Sequence, residues 1–147
     1  MKLEKYFLLL ALGVFAFALQ SCDDDDNDGI SVPTELSNAL AKEHPNARIV
    51  DIEKEKNGMT EVEIVHGSIS KDVMFTAEGT WAYTTWDISK RHLEDVVKNA
   101  VTAAHPGYTI DDAEFVETPG GSYFVVEMEQ GEREIKVKVT AEGEILP

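Results

Sequence analysis

The sequence predicts an α+β protein, a tandem repeat of two units in which a helix is followed by an antiparallel β-meander. Three observations support this prediction. A twelve-residue pattern recurs, because residues 42–53 align with residues 103–114. Each copy has an apolar stripe at helical spacing, followed by segments in which apolar and polar residues alternate. Glycine-containing turns separate the alternating segments, which is typical of a meander, and we expect the helices to pack on one face of the sheet.

The two repeats are predicted to cover residues 31–87 and 88–147. The match continues after the first pattern, since residues 62–67 align with 126–131 and residues 73–79 with 137–143. One unit of this size is too small to bury a good core alone. We therefore expect one domain over residues 31–147, with an interior that both units share.

The helical stripe of the second copy is the longer one. It comprises Leu93, Val96, Val97, Ala100, Val101 and Ala104, and Ser89 is its predicted N-cap. The first stripe comprises Leu36, Ala39 and Leu40, with Pro33 in its opening turn. Both helices are predicted to end at His-Pro, at His44 and His105, because proline cannot continue a helix. For both histidines we favour a structural role over a functional one.

Alternating segments predict four strands in each copy. In the first copy, turns are predicted at Asn57-Gly58, His66-Gly67 and Glu78-Gly79, and the fourth strand lies in "TWAYTTW". In the second copy, strands are predicted over residues 109–118, 123–128 and 135–139, with a short fourth strand at 144–146.

The N-terminal 21 residues are predicted to be a secretory signal. Lys2 and Lys5 precede an apolar run over residues 6–19, which is shorter than the roughly 20 residues of a membrane-spanning helix. The sequence Leu19-Gln20-Ser21-Cys22 resembles the lipobox of bacterial lipoproteins. That resemblance implies that Cys22 is lipidated and becomes the mature N-terminus. The alternative is an ordinary secretory signal with an incidental cysteine.

Residues 22–30 are predicted to be a lipidated cysteine followed by an acidic tether. An acidic run next to the lipid-bearing cysteine resembles the surface-export signal of Bacteroidota-type lipoproteins. We therefore expect an outer-membrane lipoprotein at the cell surface; the alternative faces the periplasm. The run also fits a weak calcium candidate with EF-hand spacing, formed by Asp24, Asp26, Asp28 and Glu35.

The chain carries a formal net charge of −15, which argues against binding nucleic acid or an anionic membrane surface directly. Its four histidines lack metal-ligand spacing, and the chain contains neither a nucleophile-elbow motif nor a phosphate-binding loop. We expect no metal, no cofactor and no enzymatic activity.

The order of several motifs, repeated twice, resembles the PepSY-like, β-lactamase-inhibitor-like family. The motifs that carry the resemblance are His44-Pro45, residues 61–64, residues 75–81, His105-Pro106, residues 123–128 and residues 139–143. The chain departs from the family pattern where histidine replaces an aromatic residue before both prolines, where Thr76 and Thr140 replace aspartate, and where Glu94 replaces proline. The resemblance implies a secreted or periplasmic protein without established catalysis that binds or inhibits another protein.

Four aromatic residues are the candidates for contact with a partner: Trp81, Tyr83, Trp86 and Tyr123. Strand alternation predicts Trp81 and Tyr83 on one face of the sheet and Trp86 on the other; the alternative is that these rings fill the core. The predicted function is a lipid-anchored envelope module that binds a protein partner, as a general or peptidase-inhibitor-like interaction domain. The alternatives are an envelope enzyme with a site between the repeats, and a structural lipoprotein that binds cations weakly.

Overall fold

The computed structural model describes residues 32–147, in which two helices accompany one sheet. Helix α1 spans Thr34–Glu43 and helix α2 spans Asp95–Ala104. The strands are β1 Arg48–Lys54, β2 Thr60–His66, β3 Ile69–Phe75, β4 Trp81–Asp87, β5 Thr109–Thr118, β6 Gly121–Gln130 and β7 Arg133–Val139. All seven pair antiparallel in chain order. The predicted α+β class is therefore confirmed.

Both helices end where the sequence predicts. The backbone N–H of His44 donates to Leu40 O, that of His105 donates to Val101 O, and a proline follows each histidine. The two histidines share nearly the same backbone angles, with φ/ψ of −131°/68° and −130°/73°. Proline thus ends each helix in the same way.

Helix α2 begins later than predicted, and the assignment of Ser89 as its N-cap is wrong. The carbonyl of Ser89 accepts a hydrogen bond from the His92 N–H at 2.7 Å, which closes a separate turn before the helix. Glu94, with extended backbone angles, is the N-cap instead. Leu93 lies between this turn and α2, outside the helix, and its side chain is still buried in the core.

The core lies on one face of the sheet, here called the helix face. Under α1 it contains Leu36, Leu40, Val62, Ile64, Val73 and Phe75. Under α2 it contains Leu93, Val97, Val101, Ala113, Val126, Met128, Val137 and Val139. Antiparallel partners point to the same side, and the register runs from Val73 through Thr84 to Glu117, so both clusters share this face. The opposite side of the sheet is the open face, which carries Glu61, Met74, Tyr83, Val116, Tyr123 and Val125.

The predicted fourth strand of the second copy is wrong. Residues 144–146 form only an isolated bridge, between Ile145 and Val139, supported by a hydrogen bond from Leu146 N to Lys138 O at 2.9 Å. The turn that precedes this bridge packs against α2, where a Cβ at Gly143 would lie 3.1 Å from Val96 Cγ2.

Candidate functional site

An irregularity in β4 decides which aromatic side chains reach the open face. Met74 pairs with Tyr83 and Phe75 pairs with Trp81, so Ala82 is an extra residue on β4. Such a bulge changes the side to which the following residues point. Trp81 therefore lies on the helix face and Tyr83 on the open face. The prediction that these two residues share a face is wrong, as is the placement of Trp86 opposite Trp81.

Trp81 belongs to a hydrogen-bonded group that joins α1 to the sheet. Its indole Nε1 donates to Thr84 Oγ1 at 2.9 Å, and Nε2 of His44 lies 2.8 Å from the same oxygen. His44 and Thr84 are both buried. Burial, reinforced by the positive charge of Lys71, lowers the pKa of His44 below its ordinary value. The neutral ring can accept a hydrogen bond from the Thr84 hydroxyl, which supports the structural role predicted for His44.

Trp86 is also engaged on the helix face. Its ring centroid lies 4.7 Å from that of Phe115. The Phe115 ring packs edge-on against Phe124, with 5.0 Å between their ring centroids. The Lys71 ammonium sits 3.7 Å from the centre of the indole ring, at the distance of a cation–π contact. Trp86 therefore has internal partners, and of the four aromatic candidates only the two tyrosines lie on the open face.

Tyr83 and Tyr123 line one groove on the open face. Its volume is about 440 Å³. We call it the open-face groove, and its lining consists of Glu61, Asp72, Met74, Tyr83, Thr85, Glu114, Val116, Thr118, Tyr123 and Val125. Met74 and Val116 are only 7% and 5% exposed, so they form a buried apolar floor outside the main core. The groove thus offers apolar and aromatic surface on the side away from both helices.

Carboxylates stand directly opposite one another across the strands of this face. The opposed pairs are Asp51 and Glu63, Glu53 and Glu61, Glu63 and Asp72, Asp87 and Glu114, Asp112 and Glu127, and Glu129 and Glu134. Like charges at directly opposed positions of a sheet are destabilising. The open face therefore carries electrostatic repulsion between directly opposed strand positions.

The pKa values around the groove reflect this crowding. Burial, followed by the charge of Asp72, raises the pKa of Glu61. Burial also raises the pKa of Asp72, to which Glu63, Asp87 and Glu114 add. The pKa of the Tyr83 hydroxyl is raised by burial and by Glu61. All three raised pKa values mean that the groove disfavours the negatively charged form of each group.

Basic side chains of the open face lie mainly at its β7 border. Lys136 forms a salt bridge of 3.3 Å with Glu127, and the Lys138 ammonium lies 5.9 Å from the ring centre of Tyr123. A smaller groove of about 190 Å³ joins this border to Asp87, Asp112 and Glu114. Glu61, Asp72 and Glu114 lie on β2, β3 and β5, away from these two lysines on β7.

Other predicted site residues fall elsewhere. Cys22, Asp24, Asp26 and Asp28 lie outside the described residues, and Glu35 is exposed in the first turn of α1. Over residues 32–147, no three His, Cys, Asp or Glu side chains are grouped so that they could hold a metal ion. In the same range, neither helix is long and apolar enough to cross a membrane.

With both helices on one face of a single antiparallel sheet, the chain has an α+β fold whose sheet is left open on the other face. A family model described as "Putative beta-lactamase-inhibitor-like, PepSY-like" matches residues 59–147, and the chain belongs to this family. No curated protein matches the chain.

Solved structures from Bacteroides species share the fold. A BLIP-like protein from Bacteroides fragilis is 25% identical with a TM-score of 0.69, over 84% of this chain and 89% of that one. A DUF2874 family protein from Bacteroides ovatus is 22% identical with a TM-score of 0.68, over 81% and 87%. A structure from Bacteroides eggerthii, described among "putative periplasmic proteins", is 19% identical with a TM-score of 0.63, over 80% and 87%.

Proposed function

We propose that this protein is a lipid-anchored module of the cell envelope that binds a protein partner with the open face of its sheet and carries out no chemistry. The observation that carries the proposal is the pairing of Tyr83 and Tyr123 over a buried floor of Met74 and Val116, on the face opposite both helices. Tyrosine over apolar surface is typical of residues that dominate protein interfaces. Membership of an inhibitor-like family supports a binding role.

The same geometry favours binding over catalysis. The groove groups with raised pKa values are the Glu61 and Asp72 carboxylates and the Tyr83 hydroxyl, and they project from three different strands. The cleft between α1 and the β5–β6 hairpin contains His44, but the Nε2 of that ring is already bonded to Thr84. A histidine acts as a general base only through an unprotonated ring nitrogen within reach of substrate. An enzyme with a site in this cleft is the weaker proposal.

Lipid attachment at Cys22 and export to the cell surface complete the proposal. The described chain enters α1 at Thr34, on the helix face, so an anchor attached upstream leaves the open face free for a partner. Labelled palmitate should enter the full-length protein and fail to enter Cys22→Ser. Protease added to intact cells should degrade the wild-type protein if it faces outward; protection until the outer membrane is opened would favour the periplasmic orientation.

We also propose that the domain arose by duplication of a helix-plus-meander unit. Three features support this. The histidines that end the two helices have matching backbone angles. The pairing of β1 with β2 and that of β5 with β6 each shift register two residues after the first paired residue of β1 and of β5. The turns at Gly79 and Gly143 share one hydrogen-bond pattern. Comparable internal alignment in relatives would support duplication, and relatives whose halves align no better than chance would oppose it.

Binding by the open face is tested by recovering the partner with chosen variants. Full-length protein is crosslinked in intact cells and purified, and the co-purifying protein is quantified. Tyr83→Ala/Tyr123→Ala should abolish recovery, because it removes the two rings of the groove. The control is Ile69→Ala/Val96→Ala. It removes two exposed apolar side chains, one from the first residue of β3, on the helix face, and one from α2, and it should recover the partner fully. Equal recovery by both variants would refute the role of the open face.

A further inference from the structure

The open-face groove combines apolar surface with a carboxylate rim, and this combination restricts what it can bind. We propose that the groove takes a lysine- or arginine-bearing segment of a polypeptide partner, an inference that rests on the proposed function. The methylenes of one basic side chain would lie on the floor of Met74 and Val116, between the two tyrosine rings. Long basic side chains bury their stems on apolar surface while the charged end remains with polar groups.

The charged end would meet the rim formed by Glu61, Asp72 and Glu114. Within residues 32–147, none of these three carboxylates forms a salt bridge. Asp72 and Glu114 also face like-charged partners, Glu63 and Asp87, directly across their strands. A cation placed here relieves several repulsions at once, so the charge of the groove is complementary to a basic ligand.

The geometry favours a side chain over a bare metal ion. The rim carboxylates project from three different strands, β2, β3 and β5, and no metal-binding group of three was found in the described part of the chain. A volume of about 440 Å³ exceeds what an ion needs, and the smaller groove beside Asp87 extends the surface along β5 and β6. Tyrosine faces add cation–π attraction, which a lysine or arginine end group can use.

The test uses full-length protein in detergent and a random dodecapeptide library. Selected peptides should be enriched in lysine and arginine. For the best peptide, Glu61→Gln/Asp72→Asn/Glu114→Gln should raise Kd at least about tenfold, because it removes the charges that contact the ligand. The control, Glu78→Gln/Glu132→Gln/Glu142→Gln, removes the same charge from exposed turn residues and should leave Kd unchanged.

The outcomes separate this inference from the proposed function. Neutral or acidic peptides that lose binding with Tyr83→Ala/Tyr123→Ala, but not with the rim variant, would overturn the inference and leave open-face binding intact. Basic peptides weakened equally by the rim variant and its control would show diffuse attraction and also overturn it. A library that yields no enriched peptide counts against the inference. Peptides indifferent to both tyrosines would contradict both proposals.

Discussion

At the scale of single residues, the role of an aromatic side chain depends on its pairing partner. Trp81 and Tyr83 are two positions apart, yet the extra residue Ala82 turns them to opposite faces. Trp81 then holds α1 through Thr84 and His44, whereas Tyr83 lines the open-face groove. The sequence identified the aromatic candidates. A bulge, however, is set by how a strand pairs with its partner, so alternation along one strand could not show which rings pack inside and which line the open face.

His44 offers the sharpest test at this scale, with His105 as its matched control. Both histidines end a helix in the same geometry, so any helix-dipole contribution is shared. His44 is buried and bonded to Thr84, whereas His105 is half-buried with an edge contact to Tyr108. His44→Ala should lower the free energy of unfolding by about 1–3 kcal/mol, since it removes a buried hydrogen bond and leaves a cavity. His105→Ala should cost about 1 kcal/mol or less.

The His44 contribution should also depend on pH. Its folded pKa lies below the ordinary value of 6.5, so the folded state favours the neutral ring. The stability that His44 provides is complete above pH 6.5 and is lost as pH falls through the folded pKa. Urea unfolding of wild type and His44→Ala at several pH values should show their difference shrinking below pH 6.5. A difference that grows on acidification would show that the buried ring is charged.

At the scale of elements, most strands, turns and helix ends were predicted from local signals. Alternation and the Asn57-Gly58, His66-Gly67 and Glu78-Gly79 turns placed β1 to β4, and the His-Pro pairs placed both helix ends. The start of α2 and the last strand were missed. The start of α2 was missed because Ser89 closes a local turn of its own, in which its carbonyl accepts from the His92 N–H. The last strand was missed because of tertiary packing, since the chain after Thr140 packs on α2 instead of extending the sheet.

Two turns of identical hydrogen bonding test that packing. In one, Gly79 N–H donates to Thr76 O; in the other, Gly143 N–H donates to Thr140 O. Both glycines have positive φ, at 80° and 86°. A methyl group at Gly79 would meet nothing within 4 Å, whereas one at Gly143 would lie 3.1 Å from Val96 Cγ2 and 3.3 Å from Ala100 Cβ.

Both alanine variants should pay the left-handed backbone cost of about 1–2 kcal/mol. Gly143→Ala should lose about 1–3 kcal/mol more, because the new methyl group overpacks the contact with α2. Chemical denaturation of the two variants measures the difference. Equal losses would show that the C-terminal turn does not press on the helix.

At the scale of the whole molecule, the two faces of the sheet differ, since the core lies on one and the proposed binding surface on the other. The helix face holds both core clusters, and the open face carries the opposed carboxylates and the tyrosine groove. Composition predicted strong acidity but not its placement, because only strand register shows which carboxylates oppose one another. The family and the α+β class followed from the sequence, whereas the lipid anchor, the duplication and the partner stay predictions.

If the open face is built at the expense of stability, removing its charge should stabilise the fold. Glu61→Gln/Asp72→Asn should raise the free energy of unfolding at pH 7 by about 0.2–1 kcal/mol for each relieved repulsion. The folded pKa values of both groups lie above their ordinary values of 4.5 and 3.8. Their protonated forms are therefore favoured by folding, and the penalty present at neutral pH disappears as pH falls below these ordinary values.

Thermal unfolding at pH 7 and at pH 3 checks this prediction, with Glu78→Gln/Glu132→Gln as the control for net charge. The stabilisation by Glu61→Gln/Asp72→Asn should be present at pH 7 and absent at pH 3. The control, which alters exposed turns, should change little at either pH. A destabilised double variant at pH 7 would show that these carboxylates support the fold.

The most direct test of the account is site-specific photo-crosslinking in living cells. A benzoylphenylalanine placed at Tyr123 probes the open face, and one placed at Asn99, an exposed residue of α2, probes the helix side. Binding by the open face predicts a discrete protein adduct from position 123 that disappears when Tyr83→Ala is added, and no adduct from position 99. Adducts from position 99 alone, or adducts from position 123 that persist with Tyr83→Ala, would contradict it.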